Sequence, residues 1–205
     1  MKLEGAAAVL AGFLLYGLAA GLEAVAGTGP LVAATVEELG KAALLLGFCW
    51  RGWRGGPERN PRREVRGRLL RLARRLSLGL VAVAVFVGVE NLAYLAAFPE
   101  AGVLARLLWS LPVHLAAALA EALGFLLVFR RLAGGRRLDS AGAALGAGGL
   151  VLAWAWHLGA NLLASGRMTP KVFTAGVVIA NLLFLVLMFQ FLRKAYLGGF
   201  LHGAD

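Results

Sequence analysis

One cysteine, Cys49, is all the chain contains. That excludes an intrachain disulfide and every Cys-based metal motif. Acidic residues are scarce as well: 11 Asp and Glu stand against 21 Lys and Arg, for a net charge of +10. Such a surplus can mark a nucleic-acid binder. Here the basic residues cluster at the ends of apolar runs, which is the pattern of membrane orientation, and no nucleic-acid partner is expected. There is no HExxH, no convincing internal repeat and no stretch that reads as a soluble domain. A cleavable signal peptide is not expected either. The first apolar run is longer than a signal core and lacks a small-residue cleavage site, so it reads as a span.

What the chain does have is apolar surface. It is 60% hydrophobic with a mean hydropathy of +0.77, against about 45–50% apolar for a soluble domain. Six runs are long enough to cross a bilayer: 5–26, 30–50, 76–98, 104–129, 141–165 and 171–192. The expected fold is all-α, a polytopic membrane helix bundle of about six transmembrane helices, forming one domain over residues 1–205. The first two runs are joined by Gly27-Thr28-Gly29-Pro30, a helical-hairpin turn. A basic loop follows over 51–75, with ten Arg opposed only by Glu58 and Glu64. Its second half, 62–75, reads either as an amphipathic helix on anionic headgroups or as a solvated loop.

Charge sets the orientation. With the N-terminus inside, 17 basic residues fall on the inner side and 3 (Arg106, Arg167 and Lys171) on the outer, so the positive-inside rule predicts N-in and C-in. A multi-pass cell-membrane protein in direct contact with the lipid bilayer is expected. Trp50 and Trp53 fall at the inner interface and Trp109 near the outer one. Gly142 with Gly146, and Ala144 with Gly148, carry small-xxx-small spacing for close helix approach.

The ionisable residues inside the runs are Glu23, Glu37, Glu38, Lys41, Glu90, His114, Glu121 and His157. An unpaired charge at the bilayer centre costs about 2.5–3.5 kcal/mol on the insertion scale, so these groups are expected to face the interior and satisfy one another. Counting from the outer ends, Glu37 and Glu38, Glu90, His114 and His157 all lie about 10–15 Å deep at 1.5 Å per residue. Four helices thus supply polar groups to one layer. Lys41 is i,i+3 from Glu38 and i,i+4 from Glu37, so it can neutralise either. His157 and Asn161 share a face, as do Ser110 and His114, with Pro112 between the latter pair. Glu121 lies seven residues past His114 on nearly the same face. Glu23, close to the outer interface, reads as structural or solvated.

These residues resemble a known pattern. Val36-Glu37-Glu38-Leu39-Gly40-Lys41 resembles the EExxK motif of the PrsW family of membrane proteases. Phe86 through Glu90-Asn91 resembles that family's second motif, Arg106 through Pro112 to His114 its third, and His157-Leu158-Gly159-Ala160-Asn161 its fourth, HxxxN. The four together cover residues 36–161. PrsW proteins are similar to the wider clan of CAAX prenyl proteases and bacteriocin-processing enzymes, which carries EExxxR, FxxxH and HxxxN. This chain has Lys41 in place of the clan's arginine, one position earlier, and Glu90 where the clan has His. The resemblance implies an endopeptidase acting on a membrane protein or peptide substrate, for some relatives an anti-sigma factor.

The residues can run peptide hydrolysis, which needs an activated water, a stabilised oxyanion and a proton for the leaving amine. Glu37 is expected as general base with Glu90 helping to hold the water. Glu38 and Lys41 form a supporting pair, though Glu37 and Glu38 can exchange roles, and Asn91 supports Glu90. By analogy with HxxxN, His157 and Asn161 donate to the oxyanion, and His114 is a further donor or shuttle. No cofactor is required in this preferred scheme. The alternative is a catalytic zinc held by His114, His157 and Glu90. Three other functions stay open on the sequence: a proton-coupled transporter or channel, a haem carrier with His114 and His157 as axial ligands, and a non-catalytic scaffold. The substrate and the oligomeric state are not legible.

Overall fold

The computed structural model describes residues 2–27, 29–53, 61–98, 103–133 and 139–165, with Val186 and Gln190. Among these the secondary structure is entirely helical, in five elements: α1 (Lys2–Ala26), α2 (Pro30–Trp53), α3 (Pro61–Ala97), α4 (Val103–Ala133) and α5 (Ser140–Ser165). The sixth expected span, 171–192, lies outside the described residues, apart from Val186 and Gln190.

The helix ends follow local chemistry. α1 stops at Gly27, whose φ of 102° suits a residue without a Cβ and whose N–H donates to the Glu23 carbonyl at 2.8 Å. Proline opens both α2 and α3, where its missing N–H costs nothing. Asp139 caps α5: its Oδ1 accepts from the Gly142 N–H at 2.8 Å, and Arg131 from the end of α4 reaches Oδ2 at 2.6 Å. That backbone hydrogen bond, followed by the Arg131 contact, holds the Asp139 carboxyl below its ordinary range.

Four helices carry a stretch long and apolar enough to cross a bilayer: Leu3–Ala26, Leu70–Ala97, Ser110–Leu132 and Ser140–Leu162. Large apolar side chains on their outer faces, such as Leu3, Phe13, Leu92 and Val151, are exposed as lipid contact requires. α2, expected as the second span, is a continuous helix but falls outside this set, because Glu37, Glu38 and Lys41 interrupt its middle. Among the described residues it packs extensively against each of the other four helices. Contact with all four neighbours is how the bundle hides Glu37, Glu38 and Lys41 from hydrocarbon.

The basic stretch 51–75 differs from its expectation. α2 runs on to Trp53, and from Pro61 onward the chain is already α3, 37 residues long and about 55 Å from end to end. That exceeds the roughly 30 Å of a hydrocarbon core. The Arg-rich first turns thus extend the third span instead of forming a loop or a separate interfacial helix. Glu4 at the start of α1 pairs with this extension, to Arg74 at 2.5 Å and Arg75 at 2.9 Å. Trp53 is clamped between Arg68, 4.9 Å above its ring, and Phe129 at 5.6 Å.

α4 and α5 make the closest approach. A Cβ on Gly149 would stand 2.7 Å from the Ala120 carbonyl oxygen and 3.0 Å from Gly124 Cα. The residues in contact are Gly146 and Gly149 against Gly124, not the Ala144/Gly148 pair, of which Gly148 has open space beside it. Gly149→Ala is therefore expected to destabilise the protein by about 1–3 kcal/mol through backbone overlap. Gly148→Ala should be neutral or stabilising by up to about 1 kcal/mol from helix propensity. Thermal unfolding of the two variants in detergent checks the contrast.

Candidate functional site

The ionisable side chains of four helices converge. α2 supplies Glu37, Glu38 and Lys41, α3 supplies Glu90, α4 supplies His114, and α5 supplies His157. Glu37, Glu38, Lys41, His114 and His157 are all buried, and Glu90 is half-buried. Adjacent residues on a helix point about 100° apart, so Glu37 and Glu38 meet different partners.

Glu38 is the structural anchor. Its Oε1 accepts from Lys41 Nζ and lies 2.5 Å from His157 Nδ1. Lys41 Nζ also lies 3.2 Å from His114 Nδ1. An ammonium only donates, so His114 Nδ1 must accept and the His114 proton sits on Nε2. That Nε2 is 3.0 Å from Glu90 Oε2. Glu38, held ionised by Lys41, only accepts, so His157 Nδ1 carries the proton and Nε2 keeps its lone pair. The His157 Nε2 lone pair faces Glu37 Oε2 across 3.8 Å. Glu37 Oε2 is also 3.5 Å from His114 Nδ1 and accepts no hydrogen bond. The two rings pack edge to face with centroids 4.6 Å apart, and Phe86 closes the other side of His114 at 6.0 Å.

Asn161 and Asn91 stand apart. Asn161 is half-buried one turn beyond His157 and outside the hydrogen-bonded cluster. Asn91 Nδ2 donates to the Val87 carbonyl of its own helix at 2.8 Å, so it bonds α3 and not the site. Glu121 is fully buried, and neither of its oxygens accepts a hydrogen bond, but its charge acts on Lys41 and Glu38. Its place seven residues past His114 was the signal for it. Trp154 Nε1 donates to Thr35 Oγ1 at 3.0 Å and pins α5 to α2 one turn from the cluster.

A cavity of about 290 Å³ opens on the site between α1, α2 and α3. Glu37 and Glu90 line it together with Tyr16, Glu23, Phe86 and Tyr94. Glu23 thus belongs to the wall of the site, where the sequence suggested a structural or solvated residue.

For metal, the set within ligating reach of one another is Glu37, His114 and His157, whose ligand atoms lie within 4.8 Å. Glu37 takes the place expected for Glu90. The spacing fits a cation, but the protons do not. Lys41 already occupies the His114 Nδ1 lone pair, His114 Nε2 carries the proton, and a divalent ion there would stand beside a buried ammonium.

The fold and the cluster define a helical membrane protein with a buried Glu/His/Lys centre open to one cavity. No protein-family model matches the chain, and neither does any curated protein or solved structure.

Proposed function

We propose that the protein is an intramembrane endopeptidase that hydrolyses peptide bonds of membrane-anchored substrates with a glutamate-activated water. The observation that carries this reading is the pair Glu37 Oε2 and His157 Nε2: two acceptors 3.8 Å apart, one of them without a hydrogen bond, beside a cavity. Two such acceptors can share one water, each taking an O–H, which leaves the water's lone pairs for a carbonyl carbon. Glu37 takes the proton on attack. Glu38 fixes the His157 ring from behind through Nδ1, in the way a buried carboxylate orients a catalytic imidazole. His114 Nε2–H, 3.0 Å from Glu90 Oε2 without a hydrogen bond to it, is the donor best placed for the developing oxyanion. This assigns His157 to the water and His114 to the oxyanion, since the His157 Nδ1–H is engaged by Glu38. Asn161 takes no step in this scheme.

The motif order resembles the PrsW family, and that likeness supports peptide hydrolysis over proton transport. In this reading the chain is a six-span, N-in and C-in protein of the cell membrane, and an anti-sigma factor is one substrate class the resemblance suggests. The gathering of carboxylates at one depth, with Lys41 among them, also disfavours a relay across the bilayer. The test is cleavage of a panel of single-span model substrates by purified protein, with metal content measured in parallel. Cleavage unchanged by chelator in metal-free protein is the expected result. Activity that needs stoichiometric zinc would overturn the water mechanism, and no cleavage of any substrate would overturn the endopeptidase.

A further inference from the structure

Three carboxylates from three helices face the cavity: Glu23 of α1, Glu37 of α2 and Glu90 of α3. They are near enough for their charges to act on one another. The buried ammonium of the site hydrogen-bonds Glu38 and His114 and acts on this wall through its charge on Glu37. Glu37 lines the cavity while only 7% exposed, and its buried Oε2 accepts no hydrogen bond. The remaining wall is aromatic, with Tyr16 and Phe86 6.4 Å apart between ring centroids and Tyr94 beside Glu90 on the next turn of α3.

We propose that this cavity binds the cationic side chain, lysine or arginine, of a membrane-embedded substrate segment and so selects the peptide presented to the site. The proposal rests on the endopeptidase reading. A cation between repelling carboxylates removes their mutual repulsion, and aromatic faces add attraction to its charge and to its aliphatic stem. The volume is small for a drug-sized ligand, whose pockets run from about 300 Å³ upward, and suits one long side chain. The depth suits it also. Glu23 is three residues from the end of α1 and Glu37 seven from the start of α2, so the cavity lies within roughly 5–10 Å of that end of the bundle. Lysine and arginine near the ends of spanning segments place their charge at this level. The acidic wall would repel a substrate with Asp or Glu at the same register.

The experiment uses single-span peptides carrying one Lys, Met or Glu, moved stepwise through the last two turns of the span. Binding is read by fluorescence anisotropy on peptides with an N-methylated backbone, and cleavage on their unmodified twins. At one register Lys is expected to bind about tenfold or more tighter than Met, and Glu weaker than both. Glu23→Gln, checked by thermal unfolding, should cut that preference several-fold. Equal affinity for Lys and Met at every register overturns the proposal, as does a preference for Glu that appears only with added calcium or zinc, which would make the carboxylates a metal site. Cleavage without a Lys preference overturns the proposal and leaves the endopeptidase standing. Lys-selective binding with no cleavage of any peptide supports the cation site and sinks the endopeptidase.

Discussion

Glu37→Gln is expected to lower the cleavage rate by about 10²–10⁴-fold, the usual contribution of a positioned general base, while leaving the fold intact. The amide has the shape of the carboxylate but takes no proton from water. The fold should tolerate it, because Glu37 Oε2 accepts no hydrogen bond and only approaches the two imidazoles at 3.5 and 3.8 Å. The amide leaves no donor stranded at that oxygen. His157→Ala should lose activity on the same scale by deleting the second acceptor. Glu38→Gln distinguishes the two adjacent glutamates. It removes the acceptor shared by Lys41 and His157, so it should lose stability as well as activity. Cleavage kinetics and thermal unfolding on the three variants give the answer together. If Glu37→Gln retains activity and Glu38→Gln is stable but inactive, the base is Glu38 and the roles proposed here are reversed.

Much of the scaffold was legible because membrane helices announce themselves by length. The runs 5–26, 104–129 and 141–165 correspond closely to α1, α4 and α5. The common depth of Glu37, Glu90, His114 and His157 was legible as well, since a fixed rise of 1.5 Å per residue turns sequence position into depth. What sequence position does not contain is the rotation of each helix about its axis. That rotation decides that Glu37, not Glu90, stands between the two imidazoles, and that Gly146 and Gly149, not Ala144 and Gly148, meet Gly124. That Glu23 reaches the cavity was not legible for a related reason. Its position near a helix end suggested water, but the packing of α1 along α3 brings it to the cavity wall opposite Glu90. A helix over 62–75 was one of the two readings of the Arg-rich stretch, but its continuity with the third span was not legible. Its helicity is propagated from the span that follows it in the chain.

Lys41→Met is expected to be the most damaging substitution to stability, at about 3–5 kcal/mol, the cost of breaking a buried ion pair by removing one partner. Lys41 is fully buried, and its ammonium serves more than one acid. It donates to Glu38 and to His114 Nδ1, and its charge also acts on Glu37 and Glu121. Glu121 has no hydrogen bond of its own, so the field of Lys41 is the stabilising influence identified for it. Methionine keeps the volume and the flexible stem but leaves these carboxylates in an apolar bundle with no cation. The loss should therefore be recovered in part by neutralising the acid that Lys41 bonds. Lys41→Met with Glu38→Gln is expected to be more stable than Lys41→Met alone, although inactive, because the stranded charge is gone. Adding Glu121→Gln should recover more, since that carboxyl shares the same cation. Unfolding in detergent across this series measures the coupling directly. Strict additivity of the single substitutions would show that Lys41 does not hold the carboxylates together, and would remove the reason for placing a lysine inside the bundle beside the water-activating pair.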